Sequence, residues 1–227
     1  MAASAPRLDS AIAHCFEADC ARCPRLAAYR HASRSRYAGY FGAPVPPFGA
    51  ADPRLLIVGL APGMHGANRT GRPFTGDFAG ILLYESLYAL GLSSQAQSIS
   101  ADDPLTLHGV RITNAVKCVP PANKPTPAEV RECGRFLRHE LGALRGVRAL
   151  LALGRIAHDA VLDALELRRA SRVFAHGAVH ALPGDRWLVD SYHCSRYNTQ
   201  TRRLTPAMFR AALGAAAARA GLEPRQP

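Results

Sequence analysis

The chain has 227 residues, 48% apolar and 20% charged, a balance that belongs to a globular protein and excludes a disordered basic tail. Its 28 basic against 17 acidic residues give a formal charge of +11 and a pI of about 10.0, so a polyanionic partner such as nucleic acid is expected. No apolar run approaches the ~20 residues that cross a bilayer, and the stretch around Arg7 and Asp9 is too weakly apolar for a secretory signal, so a cytoplasmic, monomeric protein with no membrane attachment is expected.

The first feature along the chain is Cys20-x-x-Cys23. With Cys15, Cys118, Cys133 and Cys194 it makes six cysteines, which in a reducing compartment read as ligands or buried thiols and not as disulfides. The Pro/Gly-rich stretch from Gly39 to Pro53 reads as a loop, because too few residues precede it to form a core of their own. A buried strand is predicted from Arg54 to Leu60. The glycine-rich segment Gly59 to Asp77 follows, with a spacing that is neither G-x-G-x-x-G nor a P-loop, so a nucleotide cofactor is not expected there. Phe78 to Leu90 places Ala79, Leu82, Leu83, Leu87 and Leu90 on one helical face, with Asp77 as a possible N-cap and Gly91 as the stop.

A second strand runs from Val110 to Val116. Thr126-Pro127-Ala128-Glu129 is a capping box with proline at the first helical position, and Val130, Cys133, Leu137 and Leu141 share the apolar face of its helix. A third strand, Arg148 to Gly154, leads into a helix that ends near Leu165. His176 and His180 read as part of a short hairpin and not as metal ligands. The fourth strand is Arg186 to His193, and a last helix starts at Thr205-Pro206 and ends near Gly221. This alternation predicts one α/β domain over residues 1–227, a short, mainly parallel four-stranded sheet between helical layers.

Three polar segments lie at the ends of three of these strands: Gly59 to Asp77, Asn114 to Pro121 and His193 to Thr199. Ligands of open parallel sheets bind outside the carboxyl ends of the strands, so the three segments imply a single pocket.

The motifs GLAPG-x-HGANRTGRPFTGD, NAVKC followed by two prolines, and H-x-S-x-x-NT-x-T closely resemble those of the iron-sulfur uracil-DNA glycosylases, best the family 5 branch, type b. The resemblance spans roughly Cys20 to Thr205. It implies an α/β/α sandwich, removal of uracil from DNA in base excision repair, and a 4Fe-4S cluster on four cysteines. The chain departs from the family pattern in having Cys194 after the motif histidine and Tyr197 at the wedge position of that loop. Leu60 stands where the family 4 branch, restricted to uracil, carries Glu.

Cys20, Cys23, Cys118 and Cys133 are the expected cluster ligands, with structural zinc and free buried thiols as the competing readings that spacing alone leaves open. The cluster would tie the segment of about residues 10–50 to the core. Asn114 offers a donor and an acceptor side by side, complementary to the O4 and N3–H edge of uracil. Phe74, in a polar loop, reads as a stacking platform. By resemblance His193 is the electrophile that donates to uracil O2. Asp77 reads equally well as a helix cap and as the carboxylate that positions water or stabilises a cationic sugar. Gly59, Leu60 and Gly63 would line the base pocket, Gly63 leaving it roomy enough for hypoxanthine and xanthine. Arg69, Arg72, Lys117, Ser195, Arg196 and Tyr197 would contact DNA, with Lys124, Arg202 and Arg203 adding charge nearby. All basic residues except Lys117 and Lys124 are arginine, which suits bidentate phosphate contacts. The rival readings are a family 4-type, uracil-only DNA glycosylase and a non-enzymatic nucleic-acid-binding module on a four-cysteine metal site.

Overall fold

A computed structural model describes residues 15–223. The reading of Arg7 and Asp9, and the first few residues of the N-terminal segment, lie outside them. Six strands form one mixed sheet: β1 (Phe48–Gly49), β2 (Leu55–Gly59), β3 (Val110–Asn114), β4 (Ala149–Leu153), β5 (Val179–Leu182) and β6 (Arg186–Ser191), in the order β1-β3-β2-β4-β6-β5. The four inner strands are parallel to their neighbours, and β1 and β5 pair antiparallel at the two edges. The expected four strands are the parallel centre, so the α/β class holds and the strand count is corrected to six. β2, β3 and β4 are buried at every position, as strands covered on both faces must be. β1 is two residues in a Pro/Gly-rich loop, and β5 is a partly exposed edge. Neither carries the apolar run that marks a central strand. β5 and β6 make the hairpin expected around His180.

The helices form two layers. α3 (Phe78–Ala89) and α7 (Pro206–Arg219) cover the face carrying Leu55, Ile57, Ile112, Leu151 and Val189. α4 (Pro127–Ala143) and α5 (Arg155–Ala164) cover the face carrying Leu56, Val58, Leu150 and Leu188, where α1 (Pro24–Arg36) inserts Leu26. Two short helices, α2 (Ala67–Thr70) and α6 (Arg196–Gln200), lie within the first and third polar segments. Among the described residues, no helix is long and apolar enough to cross a membrane.

The capping signals act as the sequence indicates. Thr126 accepts from Glu129 N–H while the Glu129 carboxylate accepts from Thr126 N–H at 2.7 Å, and Thr205 caps α7 through Met208 N–H. Thr126→Ala removes one side of this reciprocal pair and is expected to lower stability by about 1 kcal/mol, read as a lower denaturant midpoint with an unchanged slope.

Candidate active site

The carboxyl ends of β2, β3 and β6 open into one cleft of about 1030 Å³, whose lining includes Leu60, Gly63, Phe74, Asp77, Asn114 and His193. Three polar segments distant in sequence therefore meet where the parallel topology requires.

Asn114 is the last residue of β3, in register with Gly59 at the end of β2. Cross-strand partners project side chains to the same face, so the missing Cβ of Gly59 leaves space that its neighbours fill. A Cβ there would lie 2.6 Å from Phe74 Cζ and would collide with Asn114 Oδ1. Gly59 therefore acts behind the pocket, by letting the amide and the ring approach, and is not part of the cleft lining. Asn114 is 3% exposed and its Oδ1 has no hydrogen-bond partner, in a position where an orphaned carbonyl costs about 1–3 kcal/mol. The residue lines the cleft, and its Oδ1 is packed against Gly59 with no partner in the protein.

Phe74 adopts φ 55°, an uncommon conformation for a bulky residue, and Tyr84 Oη–H donates to Pro73 O at 2.9 Å beside it. The turn holds the ring 6.0 Å from the His193 ring with 29° between their planes. His193 ends the β6 segment on a loop that the third motif builds: Ser195 caps α6 by accepting Asn198 N–H, and Asn198 Nδ2 donates to His193 O at 2.8 Å. Burial pushes the His193 imidazole down to about 4, so at neutral pH it is uncharged and carries one N–H donor.

The Asp77 carboxylate divides its oxygens between two tasks. Oδ1 accepts from Gly80 N–H at 2.9 Å and caps α3, while Oδ2 faces Gly63 and Gly66. A Cβ on Gly66 would collide with Oδ2 and stand 2.5 Å from Asp77 Cβ, so the glycine permits this approach. Burial raises the Asp77 pKa, and the Gly80 and Ala79 N–H groups oppose the rise. Cys194 is fully buried in the core beside this carboxylate, and its thiol is pushed up by burial first and by Asp77 second.

Arg69 and Arg196 are exposed and line the cleft, and the Arg196 guanidinium lies 5.0 Å from the Phe78 ring. Ser195 lines it as well, and Tyr197, 71% exposed, stands on the first turn of α6. Lys124, Arg202 and Arg203 are exposed. Two expected phosphate contacts are corrected. Arg72 is buried, paired with Asp103, bonded to Ala101 O at 2.5 Å and stacked 4.3 Å over Phe48. Lys117 is 2% exposed and its Nζ meets Thr113 Oγ1 and Glu140, which also holds Arg111 at 2.9 Å. Each cation is tied up by a fixed anion in the interior, which sequence position alone does not reveal. His65, Gln97, Ile99 and Asn123 also line the cleft, and only the fold brings them there.

Cys20, Cys23, Cys118 and Cys133 line one small cavity with Leu26, Val116 and Phe136. Lys117 N–H donates to Cys133 Sγ at 3.2 Å, and the buried Arg30 Nη2 donates to Cys20 O at 3.0 Å while its Nε has no partner. Among the described residues, the group of three donors lying within 4.8 Å of one another is His158, His180 and Asp190, and no three of the four thiols are that close. The four thiols share one apolar-walled cavity with N–H and guanidinium groups around it, a donor set that suits an inorganic centre. Cys15, also buried, lies near Glu140 and Lys117 and does not line this cavity.

Comparison with known proteins agrees with this geometry. The family model described as the Uracil DNA glycosylase superfamily matches residues 46–217. A Type-5 uracil-DNA glycosylase of Thermus thermophilus is 52% identical over 89% of this chain and 94% of its own length. One of Pyrobaculum aerophilum is 47% identical over 89% and 90%. A Type-4 uracil-DNA glycosylase of Archaeoglobus fulgidus is 34% identical over 63% of each chain. With the motifs, the fold and the shared cleft in agreement, the chain belongs to the uracil-DNA glycosylase superfamily, in its type-5 branch.

Proposed function

We propose that this protein is a DNA-repair glycosylase that flips a uracil nucleotide out of DNA and hydrolyses its N-glycosidic bond. The observation that carries the reading is the buried, unpartnered Oδ1 of Asn114 at the wall of a cleft shared with Phe74, Asp77 and His193. Phe74 stacks on the base. Asn114 accepts N3–H and donates to O4, and cytosine presents the reversed edge. As the bond to C1′ lengthens, negative charge gathers on the base and positive charge on the sugar. Neutral His193 donates to O2, and removal of such a donor typically costs about 10²–10³ in rate. Asp77 Oδ2 faces the sugar side, where it holds water for attack on C1′ and stabilises the cation. The products are free base and an abasic site. Single-turnover cleavage of a uracil duplex after alkali, with a matched thymine duplex as control, tests this. Intact uracil strands would refute it.

Hypoxanthine and xanthine are proposed as slower substrates, because Leu60 and Gly63 leave the cleft open and deaminated bases leave the stack more easily. A side chain at Gly63 first meets Asp77 Oδ2, at 3.3 Å. Gly63→Tyr is expected to slow purine excision more than uracil excision, whereas an equal loss would assign its effect to Asp77.

DNA is held by Arg69 and Arg196 of the cleft lining and by the exposed Lys124, Arg202 and Arg203, close in sequence to the motifs, with Ser195 and Tyr197 entering the gap left by the flipped nucleotide. If these five each neutralise a phosphate, log K against log[salt] has a slope of about −4 to −5. A flat dependence in a filter or anisotropy titration would place the basic face elsewhere.

Cys20, Cys23, Cys118 and Cys133 are proposed to hold a 4Fe-4S cluster. Bound, it supplies a structural cross-link between the N-terminal segment and the second polar segment. Protein purified without air should contain iron and absorb near roughly 400 nm, and Cys133→Ser should lose both along with solubility. Stoichiometric zinc without iron would overturn the assignment.

A further inference from the structure

Beside the main cleft lies a second cavity of about 340 Å³, lined by Tyr29, Arg36 and Tyr37 of the α1 region, Met64 and His65 of the first motif, and Asn123. Met64, His65 and Asn123 line both cavities, so one continues into the other. Neither the sequence motifs nor the chemistry above uses it.

Tyr37 in its wall is backed by an aromatic stack. Tyr37 and Tyr40 lie 4.7 Å apart at 18°, and His65 meets Tyr37 edge-on at 5.4 Å while its Nδ1 is bonded to Tyr40 Oη at 2.8 Å. The Arg36 guanidinium lies 5.4 Å from the Tyr37 ring. The walls are joined by hydrogen bonds: Asn68 Nδ2 donates to Ser33 Oγ at 2.9 Å, and Gly42 N–H to Asn68 O at 3.0 Å. Pro24–Arg36 contains no acidic residue. Arg25 of that helix is engaged by Glu129, and Arg30 by Cys20 O. Arg34 and Arg36, both exposed, have no acidic partner among the described residues. The opposite lip carries two successive non-glycine residues in the left-handed region, Ala122 at φ 53° and Asn123 at φ 56°, a costly conformation that turns Asn123 toward both cavities.

A preformed aromatic surface beside a guanidinium that no carboxylate neutralises is the pairing that holds a single nucleotide, the ring taking the base and the cation the phosphate. We infer that this cavity is a subsite for an unpaired nucleotide neighbouring the target on the same strand, and that it favours uracil in single-stranded or locally opened DNA. The inference rests on the main cleft receiving a flipped base. Cys23 is the N-cap of α1, so the cysteine site anchors the helix that carries Tyr37 and Arg36.

The test measures anisotropy of labelled single strands bearing a non-cleavable 2′-fluoro-deoxyuridine, with the base deleted from the neighbouring nucleotide on one side, then the other. Stacking of one base contributes about 1–3 kcal/mol, so deletion on one side is expected to weaken binding about 5- to 150-fold, and deletion on the other side much less. Tyr37→Ala should weaken binding to the intact strand by a similar factor and abolish the dependence on that neighbouring base, and Tyr37→Trp should restore it. Arg36→Gln should reduce the salt slope by about 0.7 on these single strands. Equal binding of all three strands, or base dependence that survives Tyr37→Ala, would overturn the subsite. Loss of preference for the uracil strand over a thymine strand, with the neighbour effect intact, would instead count against the function proposed for the main cleft. Thermal melts of each variant separate a lost contact from a lost fold.

Discussion

Asn114→Ala is expected to slow uracil excision about 10²-fold or more in single turnover while duplex affinity changes little, because the amide is met only after the base has left the stack. Asn114 is fully walled by protein except toward the cleft, so truncation removes the donor and acceptor together and nothing nearby replaces them. Gly59→Ala should produce the same loss without touching either side chain chemically. Its Cβ enters the space of Asn114 Oδ1 and Phe74 Cζ, and β2 cannot retreat, since it is paired on both sides by β3 and β4. Wild-type rates in Gly59→Ala would show that the close packing of amide and ring is not what reads the base.

Asp77→Asn is expected to remove most of the activity and to leave thermal stability equal to or above the native value. Asparagine caps a helix nearly as well as aspartate, so the bond from Gly80 N–H survives. The folded-state pKa of Asp77 lies above its ordinary value through burial, so at neutral pH the ionised carboxylate opposes folding, and acidification relieves the penalty. A neutral amide removes that penalty at every pH. A charge kept in an environment that disfavours it is what a catalytic carboxylate requires. The pH profile provides a second reading. Activity needs Asp77 ionised, its pKa raised by burial, and His193 neutral, so the rate should fall on acidification as each of the two protonates, His193 at about 4. In Asp77→Asn the residual rate should keep only the His193 limb. Unchanged cleavage by Asp77→Asn would leave the residue a cap alone.

The four central strands, the helices that begin at Asp77, Thr126 and Thr205, and the gathering of Phe74, Asp77, Asn114 and His193 at one sheet edge were all legible in the sequence. Each rests on a local signal: a continuous apolar run, a capping residue, or a polar segment at a strand end, where parallel topology places ligands. The four cysteines that share one cavity were picked out of six with the help of the family resemblance, since spacing alone left the centre they hold open.

What local pattern could not supply was the partner of each polar group. Arg72 and Lys117 have the same chemistry as Arg69 and Arg196, and only the packed interior shows that Asp103 and Glu140 have claimed the first pair while the second faces solvent. The two oxygens of Asp77, the shared cavity of the four thiols and the cavity between α1 and the first motif are likewise relations between residues far apart in the chain. The sequence alone determined which chemical groups reach the sheet edge, since periodicity and capping act over a few residues. Only the tertiary structure decided which of those groups stay unpaired and open to a ligand, since burial and hydrogen-bond satisfaction are set by neighbours that the chain brings together only on folding.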